Sequence, residues 1–134
     1  MSTRDSMAIV EQAGAFLVGG FTGPGADLFA EDFVFHYFNT RLPELAGDYQ
    51  GLDGMKAFFA GVHQSSGGTF RVEPVSLTPF GDELVAAHAI NRLSVGGADL
   101  ELDALVIWRV FDGQVHEVWD IPAVNTTRTP ANSQ

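Results

Sequence analysis

Four acid–base side chains stand inside apolar, strand-like runs of the sequence: His36 in FVFHYF, His88 in AAHAI, Asp103 in ELDAL and Asp120 in EVWDIP. Asp is depleted in strands, and an imidazole or carboxylate on an apolar surface is a costly choice unless it is paired or used. Burial raises a carboxylate's pKa and brings it closer to proton transfer at neutral pH. General acid–base chemistry is therefore the reaction class to consider first. The four histidines show no HxH or HxxxH spacing, and the chain has no cysteine. Thiolate catalysis and cysteine-ligated zinc are excluded, and no metal is expected. No glycine run has phosphate-loop or dinucleotide spacing, so no cofactor is expected either. His63 falls in the last turn of a helical stretch, where the dipole favours a cation, and is given no function. His116, beside a turn, is expected to face solvent.

These candidates must be positioned by a short list of elements. Residues 5–20 place Ile9, Ala13, Phe16 and Leu17 near one helical stripe, with Ser6 or Asp5 as cap and Gly19-Gly20 as stop. TGPG at 22–25 breaks the chain, and 26–30 reads as a short helical turn. FVFHYF (33–38) is an aromatic, β-branched strand, and 39–51 is a loop. Residues 52–65 carry Met55, Phe58, Phe59 and Val62 at helical spacing, with Asp53 as a cap. Four strand-like runs follow at 69–80, 83–95, 99–111 and 114–122. Helices first and a strand meander afterwards predict an α+β fold.

Gly96-Gly97 and Asp112-Gly113 are two-residue hairpin signals, and they fix which side chains share a face. Regular pairing about the first sets Arg92 opposite Glu101, Ile90 opposite Asp103 and His88 opposite Leu105. Regular pairing about the second sets Arg109 opposite His116, Ile107 opposite Val118 and Leu105 opposite Asp120. His88, Asp103 and Asp120 then converge on one face, His88 and Asp120 roughly 10 Å apart at Cα, two strand spacings. The other face holds Val106, Trp108, Val110, Trp119 and Ile121 and is left to be covered by a second copy of the chain. One extra residue in either strand would exchange the faces beyond it. One of His36 and Tyr37, adjacent in a strand, must face inward.

The chain has 134 residues, enough for one domain, and its 17 acids against seven bases give a net charge of −10. Nucleic acid and anionic membrane surfaces are poor partners for such a charge. The N-terminal stretch MSTRDSMAIVEQAGAF interrupts any apolar run with charge, so a cytoplasmic location is expected. One domain is expected over 1–124, with a polar tail that frays from 125 to 134.

LFAEDFVFH (28–36), GDYQG (47–51), GGTF (67–70) and VIWRVFDGQVHEVWDIP (106–122) resemble the SnoaL-like branch of the ketosteroid isomerase-like, or nuclear transport factor 2-like, superfamily. The likeness spans about 7–122, in the family's order of elements. It implies a cone-shaped, curved mixed sheet wrapped around the helices, one enclosed pocket for a small hydrophobic ligand, and a homodimer through the outer sheet face. The family's steroid isomerases need an Asp base and a Tyr–Asp oxyanion pair. The corresponding positions lie near Tyr37, Ala13 and Ile107 and lack those residues. Epoxide hydrolase-like members need an Asp-Arg-Asp arrangement, which Asp103 and Asp120 meet only in their carboxylates. Asp120 matches the acid/base Asp on the last strand of the polyketide cyclases. The resemblance thus implies isomerase, cyclase or dehydratase chemistry. Asp120 would be acid/base, with His88, His36 or Asp103 as second group, and Tyr37, Phe58, Phe59 and Val118 as the ligand wall. A non-catalytic ligand-binding or dimerisation domain is the rival, and water activation between Asp103 and Asp120 a third reading.

Overall fold

The computed structural model describes residues 1–129. Helix α1 (Thr3–Val18) starts earlier than its apolar spacing suggests, because Ser2 and Asp5 form a reciprocal capping box. Ser6 is buried instead of capping, and its hydroxyl donates to the Asp82 carbonyl. The buried stripe is Ser6, Val10, Ala13 and Phe16. A single 3₁₀ turn (Ala26–Leu28) follows Gly25, whose φ of 144° and contact with Phe16 admit no side chain: a Cβ there would lie 2.7 Å from that of Phe16.

Strand β1 (Phe29–Tyr37) is longer than FVFHYF alone suggests, and β2 (Gly47–Gln50) forms within the expected loop. Helix α2 (Gly51–Ser65) is capped by the Gln50 backbone position, not by the Asp53 side chain. Strands β3 (Arg71–Phe80), β4 (Leu84–Val95), β5 (Ala98–Phe111) and β6 (Gln114–Pro122) lie where the alternation predicts. The six strands form one curved, unclosed mixed sheet in the order β2-β1-β6-β5-β4-β3. Only β1–β6 is parallel. The fold is α+β, as expected. Both helices cover one face, and the core between them and the sheet is built on Phe33, Phe35, Phe58, Met55, Val85 and Val118.

The β4–β5 hairpin has the expected register, with Arg92 opposite Glu101, Ile90 opposite Asp103 and His88 opposite Leu105. The β5–β6 turn also has the expected geometry, with φ of 52° at Asp112 and 76° at Gly113. The ladder then departs from regularity. Val110 pairs with Val115, but Arg109 pairs with Glu117, so His116 is an extra residue in β6. This one-residue bulge places Val106 opposite Asp120 and Leu105 opposite Ile121, not Leu105 opposite Asp120. His116 itself stacks flat on Phe111, ring centroids 3.6 Å apart, and its Nε2 bonds the Phe111 carbonyl at 3.0 Å.

The faces are thereby reassigned. The inner face carries Val85, Val106, Trp108, Val110, Val118 and Asp120, and the helices cover it. The outer face carries His88, Asp103, Leu105, Ile107, Trp119 and Ile121. The expected apolar stripe of Val106, Trp108, Val110, Trp119 and Ile121 is therefore split between the two. The segment after β6 is held as far as Arg128, which pairs with the Glu101 backbone and bonds the carboxylates of Glu101 and Asp103. The rest of the expected tail, 130–134, lies outside the described residues. Among the described residues, no helix is long and apolar enough to cross a membrane.

Candidate active site

Asp120 enters the inner face through the bulge at His116. Its residue keeps partial contact with solvent, yet its Oδ1 is sealed from water and has no hydrogen-bond partner. Burial pushes the carboxyl up to about 7. Such a group shares its proton evenly near neutrality, which suits a general acid or base.

Parallel pairing of β1 with β6 sets Tyr37 directly beside Asp120 and Phe35 beside Val118. Tyr37 is the inward member of the His36–Tyr37 pair. Burial raises its phenol, and the neighbouring Asp120 charge adds to that shift. Its hydroxyl oxygen accepts from Asn39 Nδ2 at 2.8 Å, which leaves the hydroxyl hydrogen free to donate elsewhere. Asn39 is itself fixed, because its Oδ1 accepts from the backbone N–H groups of Arg41 and Leu42. Phe58 lies 4.4 Å from the Tyr37 ring and 5.0 Å from Phe59, both centroid to centroid, and Phe35 completes the aromatic wall. Asp120, Tyr37, Phe58, Phe59 and Val118 thus share the space between sheet and helices. Two surface clefts, of about 420 and 250 Å³, lie elsewhere, at the start of α2 and on β3–β4.

The structure does not bring the other three candidates there. His88 and Asp103 lie on the outer face, bonded to each other at 2.7 Å, opposite in direction to Asp120. The expected convergence of His88, Asp103 and Asp120 on one cavity fails because the bulge turns β6 over. A water shared between Asp103 and Asp120 fails for the same reason. Arg128 first, and His88 second, hold the Asp103 carboxyl below the usual carboxylate range, which makes it a weak base.

His36 also faces outward. Its Nδ1 bonds Asp48 and its Nε2 bonds Glu117, both at 2.6 Å, and its ring stacks on Trp119. Burial pulls the imidazolium down, but the two carboxylates outweigh it and leave the group above its ordinary 6.5. A histidine that donates from both nitrogens must be cationic, so this is a clamp across β2, β1 and β6. Its stabilisation is complete below the ordinary pKa and is lost as pH rises through the raised folded value. His36→Gln is expected to cost about 1–2 kcal/mol at pH 6 and much less at pH 9, read from melting curves. A cost independent of pH would show that the ring acts by packing alone.

Two inward polar residues escaped the sequence reading. Trp108 sits in VIWRV, where an indole reads as core, and it is 5% exposed, but its Nε1 has no hydrogen-bond partner. Asn39 lies just past β1 with only its turn-forming side chain as a signal.

The sequence matches the SnoaL-like domain family over residues 24–118. No curated protein matches it. Among solved structures, Bal32a from a soil-derived mobile gene cassette is 21% identical, with 90% of this chain and 91% of that one covered and a TM-score of 0.76. TerC, co-crystallized with polyporic acid, is 19% identical, with 90% and 93% covered and a TM-score of 0.76. An NTF2-like protein from Anabaena variabilis is 17% identical, with 89% and 90% covered and a TM-score of 0.70. At these identities the likeness establishes the shared fold, and the family match over most of the chain establishes that this protein belongs to the SnoaL-like domain family.

Proposed function

We propose that the protein is a cofactor-independent enzyme that moves a proton next to a carbonyl of an apolar, oxygenated small molecule, in an isomerisation, aldol cyclisation or dehydration. The observation that carries this reading is the sealed, unpartnered Oδ1 of Asp120, with the carboxyl raised to about 7. An ionised Asp120 takes a proton from carbon, and the resulting carboxylic acid can return it at another position. Tyr37, oriented by Asn39, donates its free hydroxyl hydrogen to a ligand oxygen. Phe58, Phe59 and Val118 form the apolar wall. A panel of enolisable aryl and cyclic ketones incubated in heavy water tests the reading without knowledge of the substrate. Deuterium is expected to enter at the α-carbon with the wild-type protein and not with Asp120→Asn. Equal incorporation by both proteins for every ketone would overturn the assignment.

We also propose a homodimer through the outer sheet face. Leu105 and Ile121 are exposed there, beside Ile107 and Trp119. Ion pairs border this patch at both ends: Arg92 with Glu73 and Glu101, and Arg109 with Glu83 and Glu117. An apolar centre within a charged rim is the anatomy of a protein interface. Light scattering is expected to give twice the 14.4 kDa of one chain, and Leu105→Glu to return the mass to that of a monomer. A wild-type monomer at micromolar concentration would refute this.

A further inference from the structure

Among the described residues, two buried side-chain polar atoms lack a hydrogen-bond partner, Trp108 Nε1 and Asp120 Oδ1. Both belong to the inner face. Trp108 pairs with Val118, and Asp120 stands two residues further along β6 on the same side. They are diagonal neighbours, about 7–8 Å apart at their Cα atoms. A buried indole N–H normally finds an acceptor, and leaving it without one is costly. A phenylalanine at this position would fill the core without that cost. The two orphans are complementary, donor and acceptor, yet they do not satisfy each other.

We propose that Trp108 Nε1 binds a ligand oxygen opposite Asp120, so that the interior takes a molecule with a conjugated carbonyl next to an acidic hydroxyl or C–H. The inference rests on the acid–base reading of Asp120 for its chemistry, though not for its binding. The carbonyl oxygen accepts from Trp108, and the acidic hydrogen faces Asp120. When Asp120 takes a proton from the α-carbon, the C–H electron pair moves into the new C=C bond and the carbonyl π pair onto oxygen. Trp108 then stabilises the enolate oxygen. An indole has a donor and no acceptor, so it polarises the carbonyl without competing for the proton. The flat aromatic surfaces of Tyr37 and Phe58 favour a planar ligand.

Three probes separate the two contacts: 2-hydroxy-1,4-naphthoquinone carries both groups, 1,4-naphthoquinone only carbonyls, and 2-naphthol only a hydroxyl. Trp108→Phe is expected to weaken the two quinones about three- to tenfold, the scale of one hydrogen bond, and to leave 2-naphthol unchanged. Asp120→Asn is expected to show the opposite preference and to spare 1,4-naphthoquinone. In the wild-type protein, the indole N–H resonance of Trp108 should shift with either quinone and stay in place with 2-naphthol. That signal decides the matter even if Trp108→Phe does not fold. A stationary Trp108 resonance, equal quinone affinity in Trp108→Phe, or no saturable binding of the hydroxyquinone overturns the inference. If Asp120→Asn exchanges deuterium like wild type while the Trp108 results hold, the acid–base reading falls and the binding contact stands.

Discussion

Asp120→Asn is expected to make the protein more stable at pH 8 and to remove the proposed proton transfer. The folded protein holds the Asp120 proton with a pKa of about 7, against an ordinary value of 3.8. The folded state therefore binds this proton more tightly than the unfolded chain does. Its contribution to stability is complete below the ordinary value and is lost as pH rises through the folded value. At about 1.4 kcal/mol for each pH unit the ceiling is roughly 4 kcal/mol. The residue keeps some solvent contact, which lowers the realised effect to about 1–3 kcal/mol. Asn stays neutral throughout and escapes this loss. Melting curves at pH 3 and pH 8 should show the variant near wild type at the first, below the ordinary carboxylate value, and above it at the second. Activity should fall by about 10²–10⁴, the usual contribution of a general acid or base. A variant less stable than wild type at both values would mark Asp120 as a structural residue.

The order of elements was legible because period-2 alternation and turn dipeptides act locally. Gly96-Gly97 and Asp112-Gly113 both form the turns they encode, and the register of β4 against β5 follows residue for residue. The faces beyond His116 were not legible, since nothing in QVHEVWD distinguishes a regular strand from one with an extra residue. The deciding interactions are nonlocal. The bulge lets Val115 and Val118 both enter the core, whereas regular pairing would set Glu117 opposite Trp108 on the covered face. Burying Val118 and leaving Glu117 to pair with Arg109 and His36 is the better solution.

The candidate site was legible in part for the same reason. Asp120, Tyr37, Phe58, Phe59 and Val118 come together, since β1 and β6 pair in parallel and α2 covers them. His88, Asp103 and His36 are acid–base residues in apolar strands, the feature that made them candidates. That pattern also arises when a polar residue joins an ion-pair network on the outer face, as all three do. The missing signal is one of sidedness. Trp108 is the converse case: its chemistry lies in one N–H on a side chain otherwise indistinguishable from core.

Phe58→Ala is expected to cost about 3–5 kcal/mol, the range for removing a buried aromatic ring, and to loosen the proton chemistry as well. Phe58 is 2% exposed, and its ring touches those of Phe35, Tyr37, Tyr49 and Phe59. Its loss opens a cavity against Tyr37, the direct neighbour of Asp120 across the β1–β6 ladder. Tyr37 and Asp120 make that cavity polar enough to hold water, unlike a hole lined by aliphatic groups alone. Desolvation is what raises the Asp120 carboxyl, so water entering here should lower its midpoint toward the ordinary carboxylate range. The weaker base should then exchange α-protons more slowly, even in the molecules that remain folded. Phe58→Leu keeps most of the packing and should retain most of the stability and a raised midpoint. Carboxyl carbon titrations of the two variants, set beside their melting temperatures, separate packing from chemistry. If Phe58→Ala melts lower but leaves the Asp120 midpoint at about 7, its ring supports the fold without shielding the carboxyl.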